Sequence, residues 1–448
     1  MTECTEPMLF SFLDKKAVVA DFDGGQVSSY GGTLLLAQVD QELHLSERLA
    51  ACIDDTRDPV KVEHPMPELV GQRVLQVALG YAQAAASDYL RHDPVLKTVL
   101  GRAPETSGPL ASQPSMSRLD NMPGAKELFR MGEVLLQPFI EKRQPWEVRH
   151  IVLDIDSSED PTHGQQELAF FNKFYDSHCY LPLFMHASVN YGEQQEPIAA
   201  LLRPCNKGNT YASVTLLRLI IGRLKKAFPL ARIHVRADGG FSCPELYDML
   251  EDEHCDYHIG LGQNSRLLRL FQPQLERARY VFLQRREKVT VYGEVMYQAD
   301  SWRQPRRVVA KLEILADGKE NPRFVVVRQQ TATPFMHYHF FCQRGDSENR
   351  LKELKLDLRS DLTSCSSFLA NQFRLLIALA AYILYRALRD KLKGTALSKA
   401  QVGTLRQFLV LVGARVVETV RRVRILLPSS YPHQECFRQA ARGPTAVA

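Results

Sequence analysis

What the chain lacks narrows the field first. Its nine cysteines (Cys4, Cys52, Cys179, Cys205, Cys243, Cys255, Cys342, Cys365 and Cys436) include no Cys-x-x-Cys pair. That argues against a disulfide framework or a zinc ribbon and for a reducing compartment. The opening MTECTEPMLF has no basic segment followed by an apolar one, so no secretory leader is expected. The longest apolar run, LLIALAAYILY at 375–385, lies between Arg374 and Arg386. It is well short of the ~18 residues that suggest a membrane span and predicts a buried helix, with no membrane partner. The glycine pairs Gly24–Gly25 and Gly31–Gly32 fit neither GxGxxG nor a phosphate loop, so no nucleotide cofactor is expected. Asp21 and Asp23 lack the terminal Glu that a calcium loop needs. There is no internal repeat and no low-complexity tract. Together these absences predict a cytoplasmic protein.

What is present reads as globular: 45% hydrophobic and 24% charged residues over 448 positions, enough for two or three domains. The net charge is only +5, but it is unevenly spread. From Cys342 onward there are 18 Lys and Arg against 8 Asp and Glu, with VRRVR (420–424) the densest cluster. A basic surface suits a polyanion; a solvated helical face is the plainer alternative.

The pattern along the chain divides it into five stretches. Residues 1–145 are mainly helical, as in ELVGQRVLQVALGYAQAAASDYL (68–90), with a turn-rich linker ETSGPLASQPS (105–115). At residue 149 the period changes. RHIVLDIDS alternates, with Ile151, Leu153 and Ile155 on one face and Val152, Asp154 and Asp156 on the other. Strand candidates YLPLFMHASVN and PIAALLRP follow, then a helix over 213–228, the strand ARIHVRADGG, a short helix and the strand CDYHIGLGQ. Residues 146–264 therefore predict an α/β fold, a mixed sheet flanked by helices. Residues 265–335 read as a β-rich insertion, with YVFLQ, KVTVYGEVMYQ, RRVVAKLEILA and RFVVVRQQT as its strands. Helix returns over 336–395, and 396–448 reads as a helical basic region ending in a frayed RGPTAVA.

Three acids fall where a divalent-cation site would need them. Asp156 ends the first strand of the α/β region. Asp238 ends a later strand at a Gly-Gly that permits close approach. Glu348 sits in RGDSENRLKELKLDL (344–358), a charged helix following the aromatic run HYHFFC. Strand ends in a sheet domain are the usual place for a ligand. Any one of these acids alone more often starts a turn or faces solvent. The triple, in this order on these elements, is what carries weight.

The arrangement resembles the DDE transposases of bacterial insertion sequences, and among them the thirteen-eighty family. That group's signature is Tyr, two residues, Arg, three residues, Glu, six residues, Lys. Phe341, Arg344, Glu348 and Lys355 fit the spacing, with Phe in place of Tyr and Tyr338 as the nearby hydroxyl. LDIDSSEDPTHGQQE (153–167), VRADGGF (235–241), LASQPSMSRLDN (110–121) and SCSSFLANQFRLL (364–376) are the other matching blocks.

The resemblance implies an RNase H-like, retroviral-integrase-like catalytic core. It implies that Asp156, Asp238 and Glu348 hold two Mg²⁺ or Mn²⁺ ions, with Asp154 as the rival for the first place. Arg344, Lys355, Arg350 and His163 would contact DNA. The partners implied are terminal inverted repeats and target DNA, engaged by a homodimer in a synaptic complex at the nucleoid. A nuclease that cuts without strand transfer and an inactive transposase-derived DNA-binding protein are the remaining alternatives. Sequence alone does not separate them.

Overall fold

The computed structural model describes residues 7–442 apart from 193 and 330. The tail beyond Arg442, most of RGPTAVA, lies outside the described residues, as does Cys4. The chain forms two compact units. One comprises 1–47, 55–119 and 387–448, the other 48–54 and 120–386.

The second unit is built on an eight-stranded sheet. Its strands are β1 (His150–Ser157), β2 (Leu183–Val189), β3 (Glu196–Leu201), β4 (Arg232–Ala237), β5 (Asp256–Leu261), β6 (Val289–Tyr297), β7 (Arg306–Ile314) and β8 (Arg323–Val327). Their order is β6-β7-β8-β5-β4-β1-β2-β3. β4 runs parallel to β1 and β5, and every other neighbouring pair is antiparallel. The first five strands thus give the order 3-2-1-4-5 of an RNase H-like core, a mixed sheet as the succession of strands and helices over 146–264 predicts.

The stretch read as a β-rich insertion in the α/β domain contains both helix and strand. Its first residues are helical, and YVFLQ (280–284) lies in helix α4 (Gln272–Arg285), not in a strand. The other three strands, β6–β8, join the central sheet and extend it beyond β5.

The two faces of the sheet differ in chemistry. Ile151, Leu153 and Ile155 of β1 lie level with Ile233, Val235 and Ala237 of β4. Against this apolar face pack α1 (Ala125–Glu141), through Leu136 and Phe139, and α2 (Ser213–Ala227), through Leu217, Ile221 and Leu224. The helix α3 (Pro244–Asp252) adds Leu246 and Leu250. The other face carries Asp154, His186, Arg236 and His258, all buried. Helices α5 (Pro334–Cys342), α6 (Gly345–Lys352) and α7 (Phe368–Lys391) follow the inserted strands. α6 continues into a π-helical turn, Glu353–Asp357. Ser347, Leu351, Leu354 and Leu358 are buried along one stripe of this segment, which fixes its rotation. Of the apolar window in α7, 89% is buried, so the longest apolar run is a core helix as expected.

The first unit joins both ends of the chain. Its helices include Thr33–Leu43, Met66–Ala78 and Gln434–Arg442. Two features depart from the expected helical character. Residues Met8–Leu13 and Lys16–Ala20 form an exposed antiparallel hairpin. The C-terminal basic region carries a second hairpin, Ala414–Thr419 with Arg422–Leu426, so VRRVR occupies a β-turn and strand and not a helical face. Gly32 serves packing here. A Cβ on it would lie 1.6 Å from the Leu409 carbonyl oxygen, so no side chain fits.

Candidate active site

The site begins with strand register. Because β1 and β4 are parallel and Ile155 lies opposite Ala237, the next residues on the two strands are Asp156 and Asp238. Asp156 is buried at the last turn of its strand, and its Oδ1 accepts a hydrogen bond from the Ser157 amide (2.9 Å). Asp238 leaves the strand as the cap of a 3₁₀ turn, its Oδ1 accepting from the Gly240 amide (2.8 Å). Close approach is required next to it: a Cβ on Gly260 of β5 would stand 2.7 Å from the Gly239 nitrogen. The glycines of ADGG and IGLG therefore let two strand ends meet at the acid.

Glu348 enters from α6, and Arg344 links it to the strands. Arg344 Nη1 donates to Asp156 Oδ2 (2.8 Å) and Nη2 to Glu348 Oε1 (3.4 Å). Burial pushes the Asp156 carboxyl up to about 6. Asp238 and Glu348 push it the same way, and Arg344 opposes them. The three acids therefore feel one another, and Arg344 is the cation now set among them.

Lys355 turns to the segment that follows Asp156. The π-helical turn carries its ammonium to Ser158 Oγ (3.0 Å) and the Glu159 carbonyl (2.7 Å), on the loop just after Asp156. The same loop is held from the other side by buried Arg203, whose Nη2 donates to Ser157 Oγ (2.6 Å) and Nε to the Leu181 carbonyl (2.9 Å). Arg350 is turned to Glu353 of its own helix, in an ion pair. His163 is exposed on the loop beyond the first acid, where its amide donates to Gln166 Oε1 (3.2 Å). Phe341 and Tyr338 pack on the valines Val309, Val325 and Val327. Tyr338 meets Tyr292 and Lys311 there.

Asp154 is fully buried and both of its oxygens are engaged. Arg236 Nε and Nη2 donate to Oδ1 and Oδ2 (2.7 and 2.8 Å), and Gln195 Nε2 donates to Oδ2 (2.6 Å). The sequence reading missed Arg236 and Arg203. Each sits at the end of an apolar run, IHVRA and ALLR, which is the one signal it leaves. It also missed Asp160, buried beyond Asp156, whose carboxyl burial pushes up to about 8.

The donor set of Asp156, Asp238 and Glu348 is anionic and all oxygen, which suits a hard divalent cation. Burial first, and repulsion from Asp238 and Glu348 second, raise Asp156, and a bound cation would relieve both. Among the described residues no three His, Cys, Asp or Glu side chains form a ready metal cage, and Arg344 stands between two of these acids. An apolar cavity of about 520 Å³ lies elsewhere, between α1, β3, α2 and the start of α7, and none of the three acids lines it.

No curated protein matches the chain. A protein-family model described as transposase DDE domain group 1 matches residues 10–443, nearly the whole length. With the RNase H-like strand order and the acids at its strand ends, the match makes the chain a member of the DDE-domain transposases.

Proposed function

We propose that the chain is the transposase of a bacterial insertion sequence of the thirteen-eighty type. It would cleave DNA at the element's ends to free a 3′-OH, then join that hydroxyl to target DNA. The observation that carries this reading is the pairing of Asp156 and Asp238 at neighbouring parallel strand ends, with Arg344 bridging to Glu348. Asp156, Asp238 and Glu348 are the cation ligands in this reading. Asp154 is set aside because Arg236 and Gln195 occupy its oxygens. Two divalent cations, Mg²⁺ or Mn²⁺, would supply Lewis acidity to the attacking and leaving oxygens.

The protein's own groups do the rest. Arg344 offers a planar fork to a phosphate once released from the carboxylates. Lys355 and Arg203 hold the loop 157–159 and with it the direction of Asp156. Arg415, Arg421, Arg422 and Arg424 are exposed on the C-terminal hairpin and are suited to DNA phosphates. Two DNA ends per reaction call for a homodimeric synaptic assembly.

The test uses labelled duplexes carrying the terminal repeats that flank the gene. Cuts at the repeat boundary with Mg²⁺ and none with EDTA, followed by joining of pre-cleaved ends to a plasmid, are expected. Cutting without joining would leave a nuclease. Salt-sensitive binding without cutting under Mg²⁺ or Mn²⁺ would leave an inactive DNA-binding protein.

A further inference from the structure

Two residues below the strand-end acids, a row of ionisable side chains crosses the sheet. His186, Asp154, Arg236 and His258 lie in direct register on β2, β1, β4 and β5. All four are buried on the face that carries Asp156. Such a row costs desolvation and yields little net stability even when paired. Its placement gives it a use.

Arg236 touches both strands that bear acids and the helix that leads into the third. It belongs to β4, two residues before Asp238. Its Nε and Nη2 grip Asp154 of β1, two residues before Asp156. Its Nη1 donates to the Phe340 carbonyl at the C-terminal end of α5 (2.8 Å), four residues before Arg344 and eight before Glu348. The guanidinium also lies over the Phe340 ring, 4.8 Å from its centre. A cation at that helix end meets the negative end of the helix dipole. The other end of α5 is held by the same chemistry. Arg307 of β7 donates to the Ala332 carbonyl (2.8 Å) and to His337 Nε2 (3.0 Å), while His337 Nδ1 pairs with His258 Nε2 (2.9 Å). The segment leading into the Glu348 helix is thus pinned to the sheet by two arginines.

We infer that Arg236 is a positioning residue for the DDE site: one planar fork sets the mutual spacing of the strands bearing Asp156 and Asp238 and the helix bearing Glu348. The inference rests on the proposed metal roles of those three acids. Arg236 touches neither substrate nor cation. It acts through the carboxylates, as outer groups act on metal ligands, where loss typically costs 10–100-fold. Lysine does not replace it, because one ammonium cannot grip both Asp154 oxygens and reach Phe340 as well.

The test uses the full-length protein. Asp154→Asn/Arg236→Gln leaves neither member of this pair charged and keeps an acceptor for Gln195, but the shorter side chain does not reach the Phe340 carbonyl. Arg236→Lys is the second variant and keeps the charge. Mn²⁺ affinity is read by electron paramagnetic resonance, and single-turnover cleavage of the terminal-repeat duplex is titrated with Mg²⁺. Melting temperature and DNA affinity are measured alongside. The expected result for the double variant is a melting temperature within a few degrees of wild type, with DNA affinity unchanged. Its Mn²⁺ affinity falls about tenfold or more and the Mg²⁺ midpoint for cleavage rises in step. Arg236→Lys falls between the two. A folded double variant, or a folded Arg236→Lys if the double does not fold, with wild-type Mn²⁺ affinity and Mg²⁺ midpoint would overturn the inference and leave the transposase reading intact. If wild type bound no Mn²⁺, or Glu348→Gln bound it equally well, the metal roles would fall and the inference with them.

Discussion

Asp160→Asn should stabilise the protein, by an amount that grows with pH. The Asp160 carboxyl is wholly buried; its Oδ2 accepts from Thr363 Oγ1 (2.9 Å) and its Oδ1 has no partner among the described residues. Burial raises it from 3.8 to about 8, Asp361 adds to the rise, and the Thr363 bond, Lys355 and Arg374 oppose it. A carboxyl raised in the fold contributes stability that is fully present below pH 3.8 and is lost as pH rises through about 8. At pH 7 the folded protein keeps a proton that the unfolded chain has released, at a cost of up to about 4 kcal/mol. Asparagine keeps the acceptor for Thr363 and never ionises. With relaxation of the site, a gain of about 2–4 kcal/mol at pH 7 is expected, or roughly 5–10 °C in melting temperature for a unit of this size. The assay is thermal melting of both proteins in EDTA from pH 4.5 to 8. Their difference should widen by about 1.4 kcal/mol per pH unit over most of that range and fall to about 1 kcal/mol at the acid end. A difference that does not vary with pH, or a destabilised variant, would refute the reasoning.

Other predictions follow from single contacts. Gly260→Ala forces a Cβ to 2.7 Å from the Gly239 nitrogen. It should displace the Asp238 turn and lower single-turnover cleavage by about tenfold or more while DNA affinity, by gel shift, holds. Lys355→Met frees the loop at Ser158 and Glu159. Cleavage should fall about tenfold with the salt slope of DNA binding unchanged, whereas a slope smaller by about one would mean a direct phosphate contact. Neutralising Arg421, Arg422 and Arg424 together should reduce the slope of log affinity against log salt by roughly 2–3, measured by fluorescence anisotropy.

Much of the catalytic unit was legible because its strands bury one apolar face. Ile151, Leu153 and Ile155 alternate with Asp154 and Asp156, and the structure keeps that division. What alternation cannot do is choose between two acids on one face. Arg236, on a strand 82 residues away, occupies the oxygens of Asp154, and that contact is the ground on which Asp156 is proposed. YVFLQ misled because a short apolar run in a half-exposed helix matches a strand in length and composition. The two hairpins were missed although their signal was present. MLFSFL and KAVVA flank Asp-Lys, and VVET and RVRIL flank Val-Arg, both β-rich runs around a tight turn. The partners of Lys355 were not legible, because a π-helical turn at Glu353–Asp357 sets its direction and leaves no mark in the spacing.

The central claim is that Asp156, Asp238 and Glu348 form one cation-dependent cleavage site. Its most direct test is single-turnover cleavage by Glu348→Gln beside wild type, at equal DNA occupancy and saturating Mg²⁺. The account predicts unchanged DNA binding and a loss of cleavage of about a thousandfold or more. Cleavage by the variant within a few-fold of the wild-type rate would contradict it.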